Sequence, residues 1–199
     1  MKRRLTTGFF ESGDTAEIAR NLLGKLLVVP DDEGGRVSGV IVECEAYLGV
    51  VDKAAHSFGG RRTVRTEVMY ADAGHVYVFF VYGMHYQLNF VCGPEDHPHA
   101  ILIRAVEPLE GLEIIRARRG EMPDRNLTSG PGKLCKAFAI DKSFNGEHIE
   151  GGRIWLEEHV GVSAAQITSG PRIGVDYAGE DAELPLRFWV KDNLFLSKR

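Results

Sequence analysis

The sequence predicts an α+β protein organised around a curved, mainly antiparallel β-sheet. Several runs have the length and period of strands, and helical periodicity is confined to two or three short stretches. The two do not alternate in the βαβ order that a parallel sheet requires. At 199 residues with 44% hydrophobic content, the chain can bury an ordinary core and reads as one domain over residues 1–199.

Taken in order, GDTAEIARNLLGK reads as a first helix. Asp14 caps it, Glu17 completes a capping box, Ala19, Ile18 and Leu22 form an apolar stripe, and Gly24 ends it. LLVVP opens the strands, and the polar DDEGGR stretch at 31–36 joins Leu26–Val29 to Val37–Tyr47 as a hairpin loop. In Ile41–Tyr47 the period of two places Glu43, Glu45 and Tyr47 on one face, with Cys44 and Ala46 on the other.

Residues 48–74 are irregular apart from a short helical stretch around Arg65–Tyr70, and a connection of that length is usually functional or disordered. The clearest hairpin pairs His75–Val81 with Tyr86–Cys92 through Tyr82-Gly83-Met84-His85, where Gly83 can take a positive φ. Alternation gives Tyr77, Phe79 and Val81 one face and Phe80 and Tyr82 the other. HAILIRAV at 99–106 is a further strand whose lone charge, Arg104, needs a partner. Helices are expected at Pro108–Arg119 and over 130–140, the latter after the glycine-rich NLTSGPG segment, whose following helix N-terminus would suit phosphate. Strands near Arg153–Glu157 and Leu186–Val190 complete the sheet, with turns at GGR and TSGPRIG.

Composition narrows the function. No apolar run approaches the roughly 20 residues that span a bilayer. MKRRLTTGFFESGD lacks the apolar region of a signal peptide, so a cytoplasmic protein is expected, in the nucleoid or nucleus if it acts there. Cys44, Cys92 and Cys135 are odd in number and widely spaced, which suits buried thiols better than disulfides or a metal knuckle. A net charge of −4 argues against a nucleic-acid binder, yet residues 104–142 carry eight bases against six acids, so one face could be basic.

Glu45 is the favoured chemical residue, because a strand carboxylate beside a tyrosine can orient and deprotonate water if an opposite charge keeps it ionised. Arg104 can supply that charge, and a purely structural ion pair is the bland alternative. Glu43 beside Glu45 leaves open a sugar hydrolase with paired acids, although residues at i and i+2 point the same way rather than across a substrate. Glu43, Glu45, Asp52 and His56 match no familiar metal-ligand spacing. No lysine lies on the carboxylate strand or the hairpin to form a Schiff base.

The blocks VECEAYLG, DKAAHSFGGRRTVR, YVFFVYGMHYQLN, ILIRAVEPLEG and LTSGPGKLCKAFAI, in that order from about 41 to 144, resemble the alkyladenine (3-methyladenine) DNA glycosylase family. The resemblance implies a sheet distantly like the C-terminal barrel of methionyl-tRNA formyltransferases. It also implies a monomeric, monofunctional glycosylase that flips alkylated purines out of damaged double-stranded DNA for base excision repair, without metal, cofactor or membrane. By position, Glu45 matches the family's water-activating acid and Arg104 the arginine that holds it. Tyr47, His56 and Phe79 match the walls around the extruded base, Phe79 standing where some members have tyrosine and so lacking its hydroxyl. Asn89 matches the residue that excludes a guanine amino group, and Tyr82, with Met84 beside it at the hairpin tip, the minor-groove wedge. A non-catalytic nucleic-acid-binding module of the same barrel type is the alternative, and it would have no use for a buried, water-holding acid.

Overall fold

The computed structural model describes residues 3–31 and 34–198, so Asp32 and Glu33 of the expected 31–36 loop lie outside the described residues. The strands are β1 (Leu26–Pro30), β2 (Arg36–Tyr47), β3 (Val76–Val81), β4 (His85–Cys92), β5 (His99–Glu110), β6 (Trp155–Glu157), β7 (Ile167–Gly170) and β8 (Arg187–Val190). Every pairing is antiparallel, and the main path runs β3-β4-β5-β2-β1-β6, with β8 joining β2 to β7. The helices are α1 (Thr7–Glu11), α2 (Thr15–Leu22), α3 (Leu112–Arg119) and α4 (Pro131–Ala137).

Strand β2 is the axis of the sheet. One edge pairs with β5, while the other is shared by β1, over Arg36–Val40, and β8, over Glu43–Glu45. Its register with β5 shifts around Glu43, which pairs with Ala105 while Cys44 pairs with Ile103, so that Arg104 is skipped. Such irregularities re-aim side chains locally, and here the skipped residue is the arginine that meets the strand's two acids.

Alternation sorts the two faces of the sheet as the period of two requires. Cys44, Ala46, Val76, Val78, Leu88, Phe90, Ile101 and Ile103 enter the main core with residues of all four helices. Tyr77, Val91 and Ala100 turn to the opposite face, where Met69 and Tyr70 from the long 48–74 connection cover them. That connection contains three short 3-10 segments, of which Glu67–Tyr70 falls where a short helix was expected. Helix α2 begins at Asp14, whose carboxylate accepts the Glu17 amide at 2.7 Å. It buries Ile18, Ala19 and Leu22 as the stripe predicts, and Gly24 follows with φ +85. All three cysteines are buried and reduced.

Two expectations are corrected, and one element was not foreseen. The helix expected from Pro108 starts only at Leu112, because β5 continues to Glu110 and the break comes at left-handed Gly111. Pro108 is tolerated there because it faces Gly39 beside a register shift, where a missing N–H does little harm. The TSG of the expected 168–174 turn belongs to β7, leaving Pro171–Gly174 as the loop. The short α1 was not foreseen, since five residues are too few to display a period. The basic block at 104–142 is also partly neutralised: Arg104 is internal, Arg116 binds Asp124 at 2.8 Å and Arg118 binds Asp31 at 2.6 Å.

Candidate active site

Glu45 has no solvent exposure and is held by one cation and two hydrogen-bond donors. The Arg104 guanidinium lies 3.1 Å from Oε1, the Ile173 amide donates to Oε1 at 2.8 Å, and the Tyr47 hydroxyl donates to Oε2 at 2.9 Å. An ionised carboxylate offers about four acceptor positions, so this arrangement leaves room for one more donor. Arg104 also donates to Glu43 at 3.0 Å and is thus shared by both acids. Burial works against its charge, but Glu45 and Glu43 outweigh that and raise its pKa.

Glu43 serves a different purpose. Besides Arg104 it engages Arg187 at 3.2 Å, the Ser197 amide at 2.6 Å and the Ser197 hydroxyl at 2.7 Å, again with no exposure. The two acids therefore share one cation on one face rather than flanking a substrate, which removes the geometric basis of a paired-acid hydrolase. Of the other groups considered as metal ligands, Asp52 is bound to Arg172 and His56 to Tyr77. A separate cluster of Asp72, His75 and His148 lies outside the cavity lining. There the Nδ1 of His148 accepts the Glu150 amide, so its Nε2 carries the proton and faces the Ala73 carbonyl.

In front of Arg104 and Tyr47 lies a cavity of about 230 Å³, lined also by His56, Tyr77, Phe79, Tyr82 and Asn89. That is below the roughly 300 Å³ at which pockets for drug-sized ligands begin, and its walls are largely aromatic. His56 and Phe79 meet edge to face with centroids 4.6 Å apart. A ring inserted between two others needs about 7 Å, twice the optimal carbon contact, so these two form one wall together. Asn89 is buried, and its Nδ2 donates to the Tyr77 carbonyl at 3.1 Å, which fixes the carboxamide.

The hairpin tip departs from simple alternation. Phe80 turns outward onto Tyr86, but Tyr82, expected on the same face, lines the cavity instead. The cause is backbone: Tyr82 has φ +54 and Gly83 φ +67, a pair of left-handed residues closed by the Met84 amide donating to the Val81 carbonyl. Tyr82 is 78% exposed and Met84 68%, and Met84 is not among the lining residues.

Other lining residues were less legible. Gln87 is paired with Phe79 in the register and shares the period of Asn89, so alternation along β4 could have found it. Ile173, Gly174 and Tyr177 come from a glycine-rich loop and the 3-10 segment after it, and carry no local pattern pointing to β2.

Comparison with known proteins shows the family. The family model for methylpurine-DNA glycosylase (MPG) matches residues 8–194. The chain is 47% identical over 196 residues to a protein of Desulfitobacterium hafniense (strain Y51) provisionally named a 3-methyladenine DNA glycosylase, covering 94% of this chain and 96% of the relative. A protein of the same provisional name from Bacillus thuringiensis (strain Al Hakam) is 45% identical over 201 residues, covering 96% of this chain and 97% of the relative. Among the described residues, no helix is long and apolar enough to cross a membrane.

The cavity also has a titration signature. Burial, reinforced by Arg65 and Arg61, pushes the pKa of His56 down from 6.5 to about 4, so the ring facing the cavity is neutral at pH 7. As pH falls below 6.5 the unfolded chain binds a proton at this position that the folded chain refuses until about pH 4, so His56 costs stability across that window and none above it. Urea midpoints at pH 7 and pH 4.5 should therefore differ less in His56→Gln than in the parent. Equal differences would show that His56 ionises normally in the fold.

Proposed function

Because the chain belongs to the methylpurine-DNA glycosylase family and is a 3-methyladenine DNA glycosylase, a hydrolase of N-glycosidic bonds in DNA, we propose how its cavity performs that reaction. The nucleotide is rotated out of the duplex, since a stacked base cannot be attacked at its glycosidic carbon. The extruded purine lies between Tyr47 on one side and the His56–Phe79 wall on the other. A purine alkylated at N3 or N7 is cationic, and aromatic faces suit a cation.

Glu45 then acts as the general base. The observation that carries this reading is its carboxylate, fixed by Arg104, Ile173 and Tyr47 directly behind the cavity lining, with one acceptor position to spare. Water oxygen bonds to the sugar C1′, its proton passes to Glu45, and the C1′–N bond breaks. Its electron pair neutralises the departing base, leaving an abasic site. The leaving group is already activated, so the protein's contribution is chiefly orientation and the activated water.

Asn89 sets selectivity. Its fixed carboxamide occupies the space that the exocyclic amino group of guanine would need. Neutral guanine is refused, whereas cationic 7-methylguanine is admitted because the aromatic cradle offsets the conflict. Tyr82 fills the gap left in the stack, with Met84 beside it on the tip. A tyrosine at φ +54 carries backbone strain of about 1 kcal/mol, a cost consistent with a residue placed for contact with DNA rather than for local comfort.

Three outcomes test this reading. Glu45→Gln should bind alkylated duplex like the parent yet excise the base about two to four orders of magnitude more slowly, whereas Glu43→Gln should lower the melting temperature and leave excision by the folded fraction within about tenfold of the parent. Near-normal excision by Glu45→Gln, or equal catalytic losses in both, would sink the assignment. Asn89→Ala should release more unmodified guanine from genomic DNA while still excising 3-methyladenine, and unchanged guanine release would place discrimination elsewhere. Tyr82→Ser should slow excision from paired duplexes more than from mismatched or single-stranded substrates, where extrusion is easier. Equal impairment on both, or an equivalent loss of thermal stability, would return Tyr82 to a packing role.

A further inference from the structure

Arg172 and Asp52 form a second buried ion pair beside the cavity, with side chains 0% and 1% exposed. The Arg172 Nη1 donates to Asp52 and to the Ala46 carbonyl at 3.0 Å. Its Nη2 donates to Asp52 at 2.8 Å and to the Asp181 carbonyl at 3.1 Å. Asp52 in turn accepts the Leu48 and Ala54 amides, each at 2.9 Å. Burial opposes its charge, but the Arg172 guanidinium and those two amides hold its pKa below the ordinary carboxylate value.

A buried ion pair is weak grounds for stability, because well-packed apolar residues of similar volume often serve as well. What distinguishes this one is its surroundings. The Arg172 guanidinium carbon lies 4.8 Å from the centre of the Tyr47 ring, whose hydroxyl is on Glu45. The next residue in the chain, Ile173, places its amide on the other oxygen of Glu45 and its side of the loop against the cavity. Four of the five guanidinium donors are committed, and Nε is the one fully buried side-chain nitrogen or oxygen without a hydrogen-bond partner among the described residues. The group is thus held where its two arms reach Ala46, Asp52 and Asp181 at the expense of full hydrogen bonding.

We infer that the Arg172–Asp52 pair is a positioning unit for base excision, setting the Tyr47 wall through its guanidinium and the Ile173 amide on Glu45 through its own backbone. The inference rests on the reading of Glu45 as the water-activating acid. One clamp ties the end of β2, the 48–54 turn, the 171–175 loop and Asp181 together, so the stacking surface and the general base move as one body. Lysine would keep the charge opposite Asp52, but its single ammonium on a flexible stem cannot reproduce the planar fork.

Two full-length variants test it: Arg172→Lys, which retains the ion pair, and the double variant Arg172→Met with Asp52→Asn, which removes both charges without stranding either. Each is compared with the parent and with Glu45→Gln, well below its own melting temperature, for binding to duplex containing an alkylated purine and for single-turnover excision. Lesion binding should stay within about threefold of the parent, while the excision rate constant falls about tenfold in Arg172→Lys and about a hundredfold in the double variant. In both, the loss should fall on the single-turnover rate constant and not on affinity for the lesion duplex. Parental excision rates in the folded variants, or losses confined to binding, would overturn the inference and leave the pair a structural one. If Glu45→Gln is inactive while Arg172→Lys matches the parent, only the positioning role fails. If Glu45→Gln itself excises normally, the general-base reading fails, and this inference with it.

Discussion

Two carboxylates with no exposure, two residues apart on one face of a central strand, are tolerable only if fixed positive charge and hydrogen-bond donors stand against them. Removing an ion from water into a protein interior costs several kcal/mol even after relaxation. Arg104 meets that requirement from β5, reaching Glu43 at 3.0 Å and Glu45 at 3.1 Å. Much of the surrounding architecture follows. The register of β2 with β5 must break where Arg104 inserts, Arg187 of β8 and Ser197 must close over Glu43, and the 171–175 loop must present an amide to Glu45. The division of labour between the acids is equally physical, since Glu43 is saturated by structural partners while Glu45 adjoins the lining of a cavity.

The opposite faces of β3 and β4 explain why that cavity exists. Val76, Val78, Leu88 and Phe90 are spent on the main core, so Tyr77, Phe79, Gln87 and Asn89 necessarily face the other way. Met69 and Tyr70 cover part of that surface, and what they leave uncovered is a cavity with aromatic walls. The long irregular connection is therefore a wall and not a tether, and it brings His56 against Phe79.

Net charge is a poor guide to an enzyme of this kind. The chain carries −4 overall, and several of its arginines are consumed in internal or surface pairs. Positive charge is instead local to the cavity: Arg61 and Arg65 are near enough to lower the pKa of His56, and the Arg65 guanidinium lies 5.1 Å from the Phe79 ring centre. A field confined to the mouth of a site acts on a polyanion at short range, while the Debye length of about 8 Å screens the distant acids.

Sequence alone determined what depends on neighbours along the chain. The period of two gave β2 its acid face and thiol face, the turn chemistry placed the β3–β4 hairpin, and Asp14 marked the start of α2. The isolated charge in HAILIRAV required a buried partner for Arg104, and the five family-like blocks pointed to the glycosylase family to which the chain belongs. Tertiary structure decided whatever depends on residues distant in the chain. Nothing local marks Arg172, a lone charge in a glycine-rich loop, as the partner of Asp52 120 positions earlier. Nor does any pattern place the Ile173 amide on Glu45 or saturate Glu43 with Ser197. Local periodicity fixes which way a side chain points, but only the closed sheet and its returning loops fix what it meets. That is why the pairing of Glu45 with Arg104 was legible in the chain, while the partners of Asp52 and Glu43 were not.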